Sequence, residues 1–121
     1  MLVKQIPIRN NLKNYMYLIA CEKTLQTIAI DPLDSALCLK TAEELGWSIK
    51  IVANTHHHHD HIGGNDKVIQ ATGAQLVAHT EAMEAIPNVD RGLDAGDILK
   101  CGELVLELSL IHISEPTRPL T

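Results

Sequence analysis

The chain has 121 residues, 45% of them hydrophobic, and a formal net charge of −5. The hydrophobic content is ordinary for a globular protein, and the negative charge argues against a nucleic-acid partner. No apolar run is long enough to span a membrane, and the amino terminus lacks the basic start and long apolar stretch of a signal peptide. Phe is absent, with only one Trp and two Tyr, so we expect an aliphatic core.

The first part of the chain predicts three strands. Residues 2–8, 15–21 and 26–31 are rich in apolar and β-branched side chains. Asn10 and Asn11 are the expected turn residues between the first two strands.

A helix and a further strand follow. Asp34 or Ser35 is the expected N-cap, because a short polar side chain can accept the free N–H groups at a helix start. Gly46 is the expected end, because glycine tolerates a left-handed backbone. Residues 49–53 then predict a buried strand.

The second half predicts smaller elements. Asn65 is the expected N-cap of a helix over residues 65–72, which Gly73 closes. Residues 75–78 predict a strand. We expect His79, at its end, to be a surface or hydrogen-bonded residue rather than a metal ligand.

Two more elements complete the pattern. A short helix from Glu81 to Ala85 is expected to stop before Pro87, which cannot continue it. Residues 98–107 predict a hairpin that turns at Gly102.

The three cysteines, Cys21, Cys38 and Cys101, have no paired spacing. Such cysteines indicate free thiols in a reducing compartment, so we expect a cytoplasmic protein. Cys38 is expected to be a small buried helix residue rather than a zinc ligand.

The segment Thr-His-His-His-His-Asp-His-Ile-Gly-Gly lies between strand 49–53 and the second helix. Read as His-x-His-x-Asp-His, it offers four metal ligands: His56, His58, Asp60 and His61. Imidazole nitrogen and carboxylate oxygen at this density suit zinc or a similar divalent ion. In extended backbone His56 and His58 point the same way and can bind one ion. If the chain then turns, Asp60 and His61 can face a second ion, roughly 3.5–4 Å away in enzymes that use paired metals.

Other interpretations of this segment remain open. Four consecutive histidines are also found in purification tags, although tags stand at termini and do not run into Asp-His-x-Gly-Gly. A solvated His-rich loop without a fixed metal is a second alternative. His57 and His59 are not assigned to a metal and are expected to orient the loop or face solvent.

Thr-His-His-His-x-Asp-His-x-Gly-Gly resembles the signature of the metallo-β-lactamase superfamily and, within it, the hydroxyacylglutathione hydrolase (glyoxalase II) branch. Three other segments are similar to family segments: Asn14–Ile19 to the first long strand, Ile28–Pro32 to a Val-Asp-Pro-Gly turn, and Gly96-Asp97 with the following hairpin to a Gly-Asp turn. Leu33 departs from the pattern, where the family has glycine.

The resemblance implies an α/β fold, a mixed sheet with flanking helices, corresponding to the amino-terminal half of the family's αββα sandwich. It also implies two zinc ions, with iron or manganese as alternatives. His56 and His58 would bind the first ion, and Asp60 and His61 the second. A metal-bound water held by these residues would attack the thioester of a 2-hydroxyacyl-glutathione, releasing glutathione and a 2-hydroxy acid. The remaining ligands and the substrate-binding residues are expected beyond residue 107.

The resemblance leaves two alternatives for the function. One is another hydrolase of this fold or an iron-dependent persulfide dioxygenase. The other is a small metal-binding module without catalysis. We expect the parent protein to be an enzyme and this chain, which lacks the later ligands, to be inactive by itself.

The carboxyl-terminal segment abandons the family pattern. In addition, residues 108–118 resemble a conceptual translation of a transposase-type sequencing adapter. For both reasons we expect a truncated domain over residues 1–107 and a non-native tail over residues 108–121. A genuine proline-punctuated tail is the alternative. His112 lacks a neighbouring Pro-Gly turn and is not assigned as a ligand. Apolar alternation predicts a strand over residues 108–113 in either case.

Overall fold

The computed structural model describes residues 1–7, 15–55, 64–83, 85–108 and 113–114. Within them the strands are β1 (Leu2–Pro7), β2 (Tyr15–Ala20), β3 (Gln26–Ile30), β4 (Ser48–Asn54), β5 (Gln75–His79), β6 (Arg91–Leu93), β7 (Ile98–Cys101), β8 (Leu104–Leu108) and β9 (Ile113–Ser114). The helices are α1 (Ser35–Leu45) and α2 (Asn65–Thr72), followed by a 3₁₀ turn at Thr80–Ala82.

The larger sheet is mixed, with the strand order β1-β2-β3-β4-β5-β6. β1, β2 and β3 pair antiparallel, whereas β3, β4, β5 and β6 are parallel. Parallel pairs need crossover connections: α1 connects β3 to β4, α2 connects β4 to β5, and the segment with the 3₁₀ turn connects β5 to β6. A second, antiparallel sheet contains β7, β8 and β9. The expected mixed sheet with flanking helices is confirmed.

The larger sheet is covered on both faces, and alternation along its strands sorts the side chains. Leu18 and Val52 belong to the core that includes residues of α1 and α2. Ile19 and Ile51 point the other way and pack with Leu106 of the smaller sheet. A fully buried aliphatic side chain of this kind contributes about 1.5–3 kcal/mol to folding. The layers therefore run helix, sheet, sheet, with the aliphatic core that the composition predicts.

Three of the predicted helix boundaries are confirmed by capping geometry. The Leu37 N–H donates to Asp34 Oδ1 at 3.0 Å, so Asp34 is the N-cap of α1. Gly46 and Gly73 follow α1 and α2 with φ of 73° and 71°. These left-handed conformations are the reason that glycine stands there.

The predicted N-cap of α2 is wrong. The cap is Gly64, which makes no side-chain capping bond, and Asn65 is the first residue inside the helix. The amide of Asn65 is hydrogen-bonded to Asn54 instead, so it does not accept from the first turn. A tertiary contact has replaced the local one.

The region after β5 also differs from the prediction. The expected helix from Glu81 to Ala85 is a 3₁₀ turn over Thr80–Ala82, and residue 84 lies outside the described residues. β6 was not predicted, because three residues that include Gly92 are too short for a periodic signal. The hairpin turn at Gly102 is confirmed, with φ of 60°.

At the carboxyl-terminal end, Glu107 and Leu108 pair with Ser114 and Ile113. The predicted single strand over 108–113 is therefore wrong: Leu108 ends β8 and Ile113 begins β9, and two residues that pair with each other in antiparallel strands cannot belong to one strand. The turn at Asn10 and Asn11 and the unassigned His112 lie outside the described residues. In the part of the chain that is described, neither α-helix is long and apolar enough to cross a membrane.

Candidate metal centre

The four predicted ligands, His56, His58, Asp60 and His61, lie outside the described residues, which stop at Thr55 and resume at Gly64. His57 and His59 lie there as well. Across the described ranges, no group of three or more His, Cys, Asp or Glu side chains is arranged to hold a metal ion. The structure therefore describes the two ends of the histidine segment, where β4 finishes and α2 begins.

Both ends lie at the carboxyl edge of the parallel strands. β4 finishes at Asn54, which is paired with Ala78 of β5, and Asp31 directly follows β3 at the same edge. Ligand sites of α/β sheets open at this edge, because the loops that leave parallel strands converge there. The histidine segment thus begins where such a site is expected.

The carboxylate of Asp31 holds the first end of the segment. It accepts the backbone N–H of Thr55 at 2.9 Å, and its other oxygen accepts the Thr55 hydroxyl. Asp31 is buried, with φ of 51°, and its own N–H donates to Ala53 at 3.0 Å. Charge-assisted hydrogen bonds of this kind are stronger than neutral ones, so the direction in which the chain leaves β4 is firmly set.

Leu33 does not disturb this turn, although the family has glycine there. It does not adopt a positive φ, so no glycine is required. Its N–H donates to the Asp31 carbonyl at 2.7 Å and closes a tight turn around Pro32.

Gly64 fixes the second end of the segment because it packs directly against the backbone of Pro32 and Leu33. A Cβ added to Gly64 would lie 1.7 Å from the carbonyl oxygen of Pro32 and 3.0 Å from that of Leu33. Only a residue without a side chain fits this space. The second glycine of the Gly-Gly pair therefore lets the start of α2 rest on the turn that follows β3.

A pair of asparagines joins the two ends directly. Asn54 Nδ2 donates to Asn65 Oδ1 at 3.1 Å, and Asn65 Nδ2 donates to Asn54 Oδ1 at 2.6 Å. Both residues are buried. The sequence analysis missed this pair; a polar residue at the end of an apolar strand was the only signal for it.

His79 and the cysteines are not part of this arrangement. The His79 ring accepts the Glu81 N–H at 3.1 Å, which confirms the expected hydrogen-bonded role.

Cys21, Cys38 and Cys101 are buried and free, as expected. A hydrogen bond from the Thr24 hydroxyl is the main reason that the pKa of Cys21 is lowered to about 7. Burial raises the pKa of Cys38 and of Cys101 to about 11.

Comparison with known proteins assigns the family. Residues 19–121 match the metallo-beta-lactamase superfamily. Hydroxyacylglutathione hydrolase from a Polaromonas species is 52% identical over 105 residues, which are 87% of this chain and 40% of that protein. The protein of the same name from Nitrosococcus oceani is 47% identical over 84% of this chain and 39% of its own length. This chain thus spans about two fifths of these curated relatives.

Solved structures agree with the sequence relatives. The structure of ETHE1 from Myxococcus xanthus superimposes with a TM-score of 0.76 and 30% identity, covering 88% of this chain and 47% of that one. A metallo-beta-lactamase from Staphylococcus aureus gives a TM-score of 0.76 and 26% identity, over 93% of this chain and 37% of its own. The chain belongs to the metallo-beta-lactamase superfamily.

Proposed function

We propose that this chain is the amino-terminal part of a binuclear metal-dependent thioesterase that hydrolyses 2-hydroxyacyl-glutathione. One observation carries the proposal: a His-x-His-x-Asp-His segment is anchored at both ends in a chain that is 52% identical to a protein named hydroxyacylglutathione hydrolase. Superfamily membership implies a divalent metal, and we propose zinc.

The donor set fits such a metal. Neutral imidazole nitrogen and carboxylate oxygen are ordinary zinc ligands. We assign His56 and His58 to the first ion, and Asp60 and His61 to the second. The Asp31 carboxylate and the close packing of Gly64 on Pro32 support a fixed site in this segment, because they hold its two ends on one turn. The division of the four residues between two ions rests on the family resemblance.

The chemistry follows from this assignment. When bound, a pair of divalent ions would supply hydroxide near neutral pH for attack on the thioester carbonyl carbon and would stabilise the negative charge that develops on its oxygen. The four side chains would hold the ions, and the Asp31–Thr55 and Asn54–Asn65 hydrogen bonds fix the two ends of the segment that carries them. The leaving thiolate of glutathione needs little protonation, so no strong general acid is required of these residues.

The activity is tested with the full-length gene product. Purified protein should hydrolyse lactoylglutathione, seen as loss of thioester absorbance, and chelator should abolish the reaction until zinc is added. Persulfide-dependent oxygen uptake without thioester cleavage would favour the iron-dependent dioxygenase instead. Metal binding with neither reaction would favour a non-catalytic module.

We also propose that residues 108–121 are a non-native tail on a domain over residues 1–107. The resemblance to adapter codons supports this, whereas the superfamily match that reaches residue 121 points the other way. Sequencing the genomic locus tests it: we expect different codons after Glu107, including Thr-Pro-Gly-His. Finding the present codons contiguous in the organism's DNA would overturn the proposal.

A further inference from the structure

We propose that Asn54 and Asn65 form an amide clasp that presets the distance between the two ends of the metal-binding segment. Each amide donates one hydrogen bond to the other, at 3.1 Å and 2.6 Å, and both side chains are buried. The inference rests on the proposed metal centre for its consequence, but not for its geometry. Both asparagines are positioning residues and do not themselves bind metal.

The place of the pair in the chain explains its effect. Asn54 is the last residue of β4 and Asn65 is the first of α2, so the clasp joins the two ends of the segment between them. Closing a loop costs conformational entropy. A loop that is already closed in the folded protein leaves less of that cost to be met when a metal binds, which raises affinity.

The clasp completes a triangle of contacts. Asp31 ties Thr55 to the turn after β3, and Gly64 rests on Pro32 of the same turn. Those two contacts join each end of the loop to the turn, whereas the asparagines join the ends to each other. This polar contact adds a fixed direction to the apolar packing that already brings Val68 of α2 and Val52 of β4 into one core.

Amides suit this position better than other side chains. A buried carboxylate at either position would be a competing metal ligand and would change the local charge. An apolar pair would set no fixed direction. Burying an amide is costly unless its polar atoms are paired, and in the described part of the chain no buried side-chain nitrogen or oxygen lacks a partner.

The test measures two quantities on the full-length protein. The first is the hydrogen-exchange rate of the Thr55 amide in metal-free protein. The second is the dissociation constant for zinc, from competition with a chromophoric chelator. We expect Asn54→Ala and Asn65→Ala each to raise the exchange rate at least about tenfold and to weaken zinc binding about 10- to 100-fold. The double variant should be no worse than either single one, because both changes remove the same interaction.

Thr72→Val is the matched control. Thr72 lies at the far end of α2, where its hydroxyl donates to the Val68 carbonyl at 2.7 Å. Its loss should lower stability without changing Thr55 exchange or zinc affinity. If the alanine variants do not fold, Asn65→Asp keeps one of the two hydrogen bonds and should give an intermediate exchange rate.

The outcomes separate the clasp from the metal proposal. If the unaltered protein binds no zinc, the proposed function fails, and the exchange rates alone decide the clasp. Variants that lose stability but keep unaltered Thr55 exchange would show a purely structural pair and overturn the inference. Unaltered exchange in Asn65→Asp would likewise contradict reciprocal pairing.

Discussion

Replacing His58 with alanine in the full-length protein is expected to lower kcat for lactoylglutathione hydrolysis by at least about a hundredfold. His58 is assigned to the first metal ion, and without its imidazole the ion is held by fewer protein ligands. Supply of hydroxide near neutral pH depends on the bound metal, which lowers the pKa of its water ligand to about 7. Steady-state kinetics in zinc-supplemented buffer measures the change.

His57→Ala is the matched control, since His57 is adjacent in the chain and carries no assigned ligand role. It should retain kcat within a few-fold. Equal losses of kcat at the two positions would contradict the His-x-His-x-Asp-His assignment, because that assignment makes His58 a metal ligand and His57 not one.

Replacing Gly64 with alanine is expected to lower the free energy of unfolding by about 3 kcal/mol, near the upper end of the cost of overpacking. The added methyl group would lie 1.7 Å from the Pro32 carbonyl oxygen, and its neighbours at this site are backbone atoms that cannot simply rotate away. Either α2 or the turn after β3 must therefore move. Urea unfolding followed by circular dichroism measures the loss.

Gly73→Ala supplies the comparison for that measurement. Gly73 has φ of 71°, but a Cβ there would meet nothing within 4 Å. Its replacement should cost about 1–2 kcal/mol, from the left-handed backbone alone. A smaller loss for Gly64→Ala than for Gly73→Ala would contradict the close approach to Pro32.

Much of the fold could be predicted from local signals. Asp34, Gly46 and Gly73 mark helix ends because capping depends on the residue itself and its immediate neighbours. Strand positions within residues 1–107 followed from apolar runs, with each predicted boundary within one residue of the observed one. The short β6 strand could not be predicted. Its extended structure comes from pairing with β5, and its three residues carry no strand signal of their own.

The candidate site likewise has features that could be inferred from the sequence and features that could not. The ligand set could be inferred from the spacing of His56, His58, Asp60 and His61, and it stays a prediction. The role of Asn65 could not be inferred from the sequence, because an asparagine at a helix start predicts an N-cap. Only the fold brings Asn54 beside it. Long-range partners of this kind are not encoded in spacing along the chain.

Metal analysis of the purified full-length protein tests the central claim most directly. The account predicts about two divalent ions per chain, as in other paired-metal enzymes. It also predicts about one in Asp60→Ala, because Asp60 is assigned to the second ion. Protein that is folded by circular dichroism but binds close to no metal, before and after zinc is added, would contradict the account.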